Sequence, residues 1–483
     1  MRTIGFRRLL SAFGFASVIA ACLLPAQAPP SNPIEALHDA ERRIKQQDLD
    51  GAYEVVQKAA AQGPDSPILL AALGDIDYLR GEIAAAELEF KRALKLDDKT
   101  GRAWLGLGQV FEAACFKRQA KICYMKAFEV EPENSEIRRS YIRLLKPDAQ
   151  LTQLEKMLES SAKDLDAEDI ESLQRSVARL KFIGDRQTYA LASPNEHTEV
   201  KLSYLMYDAK RIRGFALPVS LNGGKTVRLL MDTGASGIIV NRKAAEAVGL
   251  PRVSDIKFYG IGDEGDRTGY MAFAGKLKIG DVEFNNCPIE VSERKFLTDQ
   301  DGLIGTDVFS HFLVTIDFQK MVLKLDPLPK HEKAPGDSYW EDREIAPEFK
   351  EFTPFFRVGH HILLSTRVND SKPVLFLVDT GSSNTLIDPT FAHQFTKVHG
   401  EDLVKMRGLS GKVDKVQSAD AFKLEFGHFR QPYRDVLSIP LKKVSRGRPQ
   451  MTGILGVPTL VQFRWRIDYR DGLVDMEYIG PKW

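Results

Sequence analysis

Cysteine is scarce in this chain, with four residues among 483. Four thiols in that length do not make a disulfide framework. Cys115 and Cys123 are too far apart along a helix to bridge easily, and Cys287 is typical of a buried thiol.

Net charge is also nearly absent, because 67 Lys and Arg residues balance 66 Asp and Glu residues. No strong field draws a polyanion to the chain, so we expect no nucleic-acid partner.

Motifs of several enzyme classes are missing. The chain has no Gly-x-Ser-x-Gly, no Cys and His pair with local support, and no phosphate-binding loop. The adjacent His360 and His361 have no acidic or cysteine partner at ligand spacing. We therefore expect neither a metal site nor a cofactor.

The first 28 residues have the pattern of an export signal. Arg2, Arg7 and Arg8 precede an apolar run that is short for a membrane span and ends near residue 24. Two endings compete: residues 19–22 resemble a bacterial lipobox that would lipidate Cys22, and residues 26–28 resemble a small-x-small cleavage site. A lipoprotein, a secreted protein and an uncleaved anchor all stay open. We expect export to a periplasm or cell envelope, with membrane contact only through this segment.

A helical repeat follows, over about residues 33–184. The units 67–100 and 101–134 have the 34-residue period of the tetratricopeptide repeat (TPR), and a weaker unit precedes them. In each, small residues such as Gly74 and Ala86 let two helices approach closely, while Phe90 and Tyr124 fill the gap to the next hairpin. The chain resembles the TPR family here, and residues 135–184 are predicted to cap the array. The array is predicted to bind a partner or present substrate, with a rigid spacer as the alternative.

The character of the sequence changes after residue 185, where β-branched residues and glycine become frequent. The region has two similar halves, predicted at 198–326 and 351–483, with a linker at 327–350 rich in proline and charge. In each half a strand, a turn and a second apolar strand lead to Asp-Thr-Gly. A Gly-apolar-apolar-Gly motif follows a little over seventy residues later, at 302–305 and 453–456.

Residues 198–481 resemble a tandem pair of retropepsin-type lobes, the family that includes pepsin and the retroviral proteases. A single Asp-Thr-Gly is a weak indication of this family, whereas two such triplets in matched surroundings are a specific one. The resemblance implies a multidomain fold, an all-α TPR array followed by an all-β bilobal acid protease with β-barrel lobes. It also implies an aspartic endopeptidase that acts on a peptide or protein substrate.

Asp232 and Asp379 are the predicted catalytic pair. Two carboxyls a few ångström apart cannot both ionise, so one activates a water while the other acts as the acid. Thr233 and Thr380 would hydrogen-bond the opposite lobe's backbone, and Gly234 and Gly381 would allow the two loops to approach. Gly260, Gly262, Gly408 and Gly411 are flap candidates, although plain hairpins are equally compatible with these glycines.

The two lobes are predicted to be chemically unequal, because Ser382 follows Gly381 whereas Ala235 follows Gly234. In the pepsin-like arrangement, the Ser382 hydroxyl can donate to the outer oxygen of Asp379 and favour its ionised form. The sequence therefore predicts that Asp379 is the more readily ionised partner.

Two other functions remain open at this stage. One is a non-catalytic envelope scaffold that binds peptides, with the TPR array as its functional part; the other is an enzyme that processes only itself. One chain already carries both aspartates on a short tether, so we expect a catalytically competent monomer.

Overall fold

The computed structural model describes residues 32–63, 65–160, 167–193, 195–209, 212–258, 261, 263, 267–293, 300–331, 342–400, 405–408, 411–442, 445 and 447–480. The predicted fold class is confirmed: a helical array precedes two β lobes of retropepsin type. The residues proposed as an export signal lie outside the described part. No helix in the described part is long and apolar enough to cross a membrane.

The array consists of helical hairpins with the predicted period. Proline at the first helical position and a polar cap begin α1 and α3, where Asn32 accepts from the Ile34 N–H and Ser66 from the Leu69 N–H. The helices are α1 (Pro33–Lys45), α2 (Leu49–Ala61), α3 (Pro67–Leu79), α4 (Ile83–Leu96), α5 (Gly101–Ala113) and α6 (Lys117–Val130).

Glycine and aromatic residues interlock the repeats as the sequence predicts. The Phe90 ring lies against Gly74 of its own repeat and Gly106 of the next, and the Tyr124 ring lies against Gly108. A methyl group at Gly74 would lie 2.7 Å from the Phe90 ring, so these close approaches need glycine.

The turn inside each hairpin contains a residue in the left-handed region. Gln47 (φ 62°), Gly81 (φ 81°) and Cys115 (φ 61°) recur with the repeat period. These turns line up along one edge of the array, here called the turn edge (residues 46–48, 80–82 and 114–116).

The helices after the repeats are α7 (Ser135–Ile142), α8 (Pro147–Ser160) and α9 (Ala167–Ile183). Their apolar faces form one cluster, as a capping segment should, with Met157 and Leu173 at its centre. They also bind the first lobe, which the sequence did not predict. Phe182 packs on Phe273 with ring centroids 4.9 Å apart.

The first lobe is a twisted sheet in the order β1-β9-β6-β10-β5-β4-β8-β7, with β3 paired to β4. Its elements are β1 (Ala190–Leu191), β2 (Thr198–Lys201), β3 (Ser203–Met206), β4 (Ile212–Leu221), β5 (Val227–Met231), β6 (Ile238–Asn241), α10 (Arg242–Ala247), β7 (Arg252–Phe258), β8 (Arg267–Ile279), β9 (Val282–Ser292), β10 (Gly302–Ile304), β11 (Phe312–Asp317) and β12 (Val322–Pro327).

The second lobe repeats this plan in the order β14-β15-β16-β23-β17-β22-β21-β18. Its elements are β13 (Thr353–Pro354), β14 (Phe356–Val358), β15 (His361–Val368), β16 (Val374–Val378), β17 (Leu386–Ile387), α11 (Pro389–Ala392), β18 (Val398–Gly400), β19 (Arg407–Gly408), β20 (Gly411–Lys412), β21 (Gln417–Phe426), β22 (Phe429–Ser438), β23 (Met451–Leu455), α12 (Val457–Leu460), β24 (Phe463–Asp468) and β25 (Leu473–Tyr478).

A six-stranded antiparallel sheet joins the lobes, in the order β13-β25-β24-β11-β12-β2. Its central pairing, β11 with β24, crosses from one lobe to the other. Arg464 of β24 adds an ion pair with Asp317 of β11 at 3.0 Å. The two halves therefore share one continuous sheet.

The turn edge docks on the second lobe. The Gln450 N–H donates to the Leu79 carbonyl at 2.7 Å, and Gly81 packs on the Leu375 side chain. From the interlobe segment, the buried Asp342 carboxylate accepts from the Arg118 and Gln119 N–H groups and thereby caps α6. The array is thus part of the same folded body as the lobes.

Candidate active site

The two Asp-Thr-Gly loops begin at equivalent strand ends. Asp232 follows β5 and Asp379 follows β16, and each of these strands pairs in parallel with the strand of its closing motif. The Asp232 N–H donates to the Ile304 carbonyl at 2.9 Å, and the Asp379 N–H donates to the Leu455 carbonyl at 3.0 Å. The closing motifs therefore fix the backbone of both aspartates.

The threonines make the expected cross-lobe hydrogen bonds. The Thr233 hydroxyl donates to the Val378 carbonyl at 2.7 Å, and the Thr380 hydroxyl donates to the Met231 carbonyl at 2.8 Å. Each hydroxyl oxygen also accepts the other threonine's N–H at 3.0 Å. This buried network ties the two loops together across the lobe interface.

The glycines bring the two carboxyls together. The Gly234 N–H donates to Asp232 Oδ1 at 3.0 Å, and the Gly381 N–H donates to Asp379 Oδ1 at 2.8 Å. A Cβ placed on Gly234 would lie 2.7 Å from the Asp379 carboxyl carbon, and one on Gly381 would meet the Asp232 carboxyl. Only glycine allows the two loops and their carboxyls to approach this closely.

The two aspartates differ in acidity. Burial raises the pKa of Asp379 well above its usual range, and the neighbouring Asp232 charge raises it further. Burial also raises the pKa of Asp232, but the Arg213 charge and the hydrogen bond from Asp379 oppose the rise. The pair titrates as a unit, and these effects favour the shared proton on Asp379 and the charge on Asp232.

This order is the reverse of the one predicted from Ser382. The Ser382 hydroxyl donates to the Asn384 carbonyl at 2.7 Å and not to the Asp379 carboxylate. The prediction was wrong because a serine hydroxyl rotates to the nearest acceptor, and the adjoining turn supplies one.

Apolar side chains flank the carboxyls on the same faces of the sheets. Successive residues of a strand point to opposite faces, so Leu377 shares the face of Asp379, while Phe376 and Val378 enter the lobe core. Leu377 and Ile454 belong to one apolar cluster with the helices of the array. The apolar residues on the face of Asp379 are therefore continuous with the apolar core of the helical array.

The flap candidates fall partly within the described residues. Gly260 and Gly262 lie outside them. Gly408 and Gly411 form a short antiparallel pair between β19 and β20, and Gly411 has a φ of 99°, which favours glycine. The backbone of Ile261 packs directly against Gly408. Ile261 of the first candidate flap thus contacts Gly408 of the second, and the closing role of both flaps stays a prediction.

Sequence reasoning missed two residues beside the dyad. Arg213 donates to the Gly381 carbonyl, and His360 Nε2 lies 3.2 Å from the Gly234 carbonyl. Arg213 precedes Asp232 by the same number of residues as His360 precedes Asp379. Aligning the two halves would have revealed the match, whereas His360 was considered only as a metal ligand. The described residues contain no cluster of three metal-ligating side chains.

Comparison with known proteins supports the class of these lobes. Residues 217–308 and 364–459 match the family model described as aspartyl protease. Both matches contain an Asp-Thr-Gly loop and its closing motif. The β lobes are therefore of aspartyl-protease type.

Individual proteins are similar to parts of the chain. The UBA domain-containing protein Mud1 of Schizosaccharomyces pombe is 31% identical over 22% of this chain and 31% of its own length. DNA damage-inducible protein 1 of Saccharomyces cerevisiae is 30% identical over 20% of this chain and 22% of its own. The chain thus spans less than a third of these curated relatives.

Among solved structures, a retropepsin-like aspartic protease from Rickettsia conorii is 20% identical, with a TM-score of 0.21. The match covers 29% of this chain and 96% of the Rickettsia conorii chain. The first TPR of Spaghetti (RPAP3), bound to an HSP90 peptide, is 22% identical with a TM-score of 0.22. It covers 23% of this chain and 90% of its own.

Proposed function

We propose that the protein is an aspartic endopeptidase that hydrolyses peptide bonds through the Asp232 and Asp379 pair. The observation that carries this proposal is the close approach of the two carboxyls, whose loops are held by threonines that cross between the lobes. The ionised Asp232 takes a proton from the attacking water. Asp379 donates its proton to the peptide carbonyl oxygen, which gives a neutral diol intermediate.

The test of this function is hydrolysis of a peptide library from acidic to mildly alkaline pH, with and without pepstatin. We expect pepstatin-sensitive cleavage by the wild type. The Asp379→Asn variant serves as the matched blank, because it removes the acid and keeps the size of the side chain. Cleavage that is equal in both proteins, or insensitive to pepstatin, would contradict the proposal.

A peptide-binding scaffold is the second candidate. The observation in its favour is that Leu377 and Ile454, near Asp379, are buried in one apolar cluster with helices of the array. Pepstatin binding without turnover of any library member would favour the scaffold over the enzyme. In either case the array is proposed to bind a partner or to present substrate.

We also propose that the protein is exported as a lipoprotein and acts in the cell envelope. The basis is the lipobox-like run that ends at Cys22, preceded by arginines and an apolar segment. Cleavage after Ala28 without lipid is the alternative.

Replacing Cys22 with alanine tests this proposal. We expect Cys22→Ala to lose both membrane association and lipid mass, because the thiol is the lipidation site. Intact-mass analysis of the mature wild type supplies the measurement. An N-terminus beyond residue 22 without lipid would sink the lipoprotein proposal.

A further inference from the structure

Two side chains cross between the lobes outside the threonine network. Arg213, at the start of β4, donates Nη1–H to the Gly381 carbonyl. His360, just before β15, lies with Nε2 3.2 Å from the Gly234 carbonyl. Because a carbonyl only accepts, His360 Nε2 carries the hydrogen in this contact.

Each contact acts on a glycine that also holds a carboxyl. The Gly234 N–H donates to Asp232, and its carbonyl is bound by the opposite lobe. The Gly381 N–H donates to Asp379, and its carbonyl is bound by Arg213. A glycine backbone is otherwise free to rotate, so fixing both of its polar groups fixes the direction of the N–H that orients the carboxyl.

We propose that Arg213 and His360 are positioning residues of the aspartate pair. Each holds the glycine carbonyl of the opposite Asp-Thr-Gly loop, and Arg213 alone adds a permanent positive charge beside the dyad. The assignment rests on the proposed function, because it is the dyad that these contacts orient.

Charge distinguishes the two positions. Arg213 acts on both Asp232 and Asp379, where its charge lowers the pKa of each carboxyl. The Tyr207 ring lies 5.7 Å from its guanidinium. An arginine stays protonated at every pH of interest, so it favours the ionised dyad throughout.

His360 has a different electrostatic setting. Burial lowers its pKa and Arg448 lowers it further, whereas Asp307 and Asp232 raise it. The His361 ring lies 4.1 Å away, and burial lowers the pKa of His361 to about 3. His360 is thus neutral near neutral pH and contributes a hydrogen bond without a charge.

Substitutions separate the donor from the charge. Arg213→Gln keeps an N–H donor and removes the charge, whereas Arg213→Met removes both. His360→Gln keeps a donor, and His360→Leu removes it. Carbon-13 titration of labelled aspartate carboxyls measures the protonation of the dyad and does not depend on catalysis. The kcat and KM for a cleaved peptide measure the reaction.

We expect both Arg213 variants to raise the dyad titration by about one pH unit, and both His360 variants to raise it by less, because His360 lowers the pKa of Asp232 only where its imidazole is protonated. We expect Arg213→Met and His360→Leu to lower kcat by roughly 10- to 100-fold with little change in KM, because the carboxyls are misaligned. Both Gln variants should stay within about threefold of wild type at their own optimum pH.

Several results would overturn the assignment. An unchanged titration in Arg213→Gln removes the charge role, and wild-type kcat in His360→Leu removes the positioning role. Equal losses in His360→Gln and His360→Leu mean that packing, not the donor, matters. If His360→Leu does not fold, His360→Asn replaces it, because its shorter amide cannot reach Gly234. Should the wild type cleave nothing, the proposed function fails, and the carboxyl titration still decides the charge role.

Discussion

Asparagine in place of Asp232 or Asp379 is expected to abolish peptide hydrolysis, with a fall of about 10⁴-fold in kcat. Either change removes a group that must exchange a proton with the water or the peptide carbonyl. Asparagine has nearly the same size, so the threonine network around it can persist. Initial rates on a peptide cleaved by the wild type give the measurement.

The same substitutions are expected to stabilise the fold at neutral pH. Burial raises the pKa of both aspartates above the unfolded value of about 4. Between these values the folded state binds more protons than the unfolded one, so stability falls as pH rises through the folded pKa. Asparagine removes this loss of stability. We therefore expect the free energy of unfolding to rise by about 1 kcal/mol at pH 7 and to stay unchanged below pH 4. Denaturant midpoints at the two pH values measure it.

The exposed Asp370 provides the matched control. Its side chain is 96% exposed and its ion pair with Arg430 is at the surface, so Asp370→Asn should change neither rate nor stability. Turnover near that of the wild type in Asp232→Asn or Asp379→Asn would refute the catalytic assignment. Lost activity with unchanged stability would refute only the electrostatic account.

Periodic features of the fold could be predicted from the sequence. The TPR period follows from small and aromatic residues that recur at fixed positions, and their contacts are local to neighbouring hairpins. The duplicated Asp-Thr-Gly loops were equally visible, because each is short and follows an apolar strand. The threonine bonds followed from the family resemblance.

Contacts between distant segments could not be predicted in the same way. The turn edge of the array meets the second lobe through backbone groups such as the Gln450 N–H. Nearly every residue type has such a group, so the sequence does not indicate the contact. The hydrogen bond predicted for Ser382 was wrong for a related reason. A hydroxyl has several acceptors within reach, and the sequence does not show which one it will choose. Arg213 was missed because its acceptor is a carbonyl in the other lobe.

A mixture of Asp232→Asn and Asp379→Asn proteins is expected to stay inactive, because we propose that each chain pairs its own two lobes. One chain contains both loops, and the β11 with β24 pairing joins its lobes in a shared sheet. The threonine bonds between Thr233 and Thr380 form within the same chain. A tether of this length holds the second lobe at roughly millimolar effective concentration, so at micromolar protein about one chain in a thousand would exchange a lobe.

The decisive comparison sets the mixture against each variant alone and against wild type at equal total protein. Exchange of lobes would pair one chain's intact Asp232 with another's intact Asp379 and would restore up to a quarter or so of the sites if pairing were random. Within-chain pairing restores none, and it also keeps wild-type specific activity constant on dilution. Activity that returns in the mixture after incubation, or that falls as wild type is diluted, would show that the working enzyme is assembled from two chains.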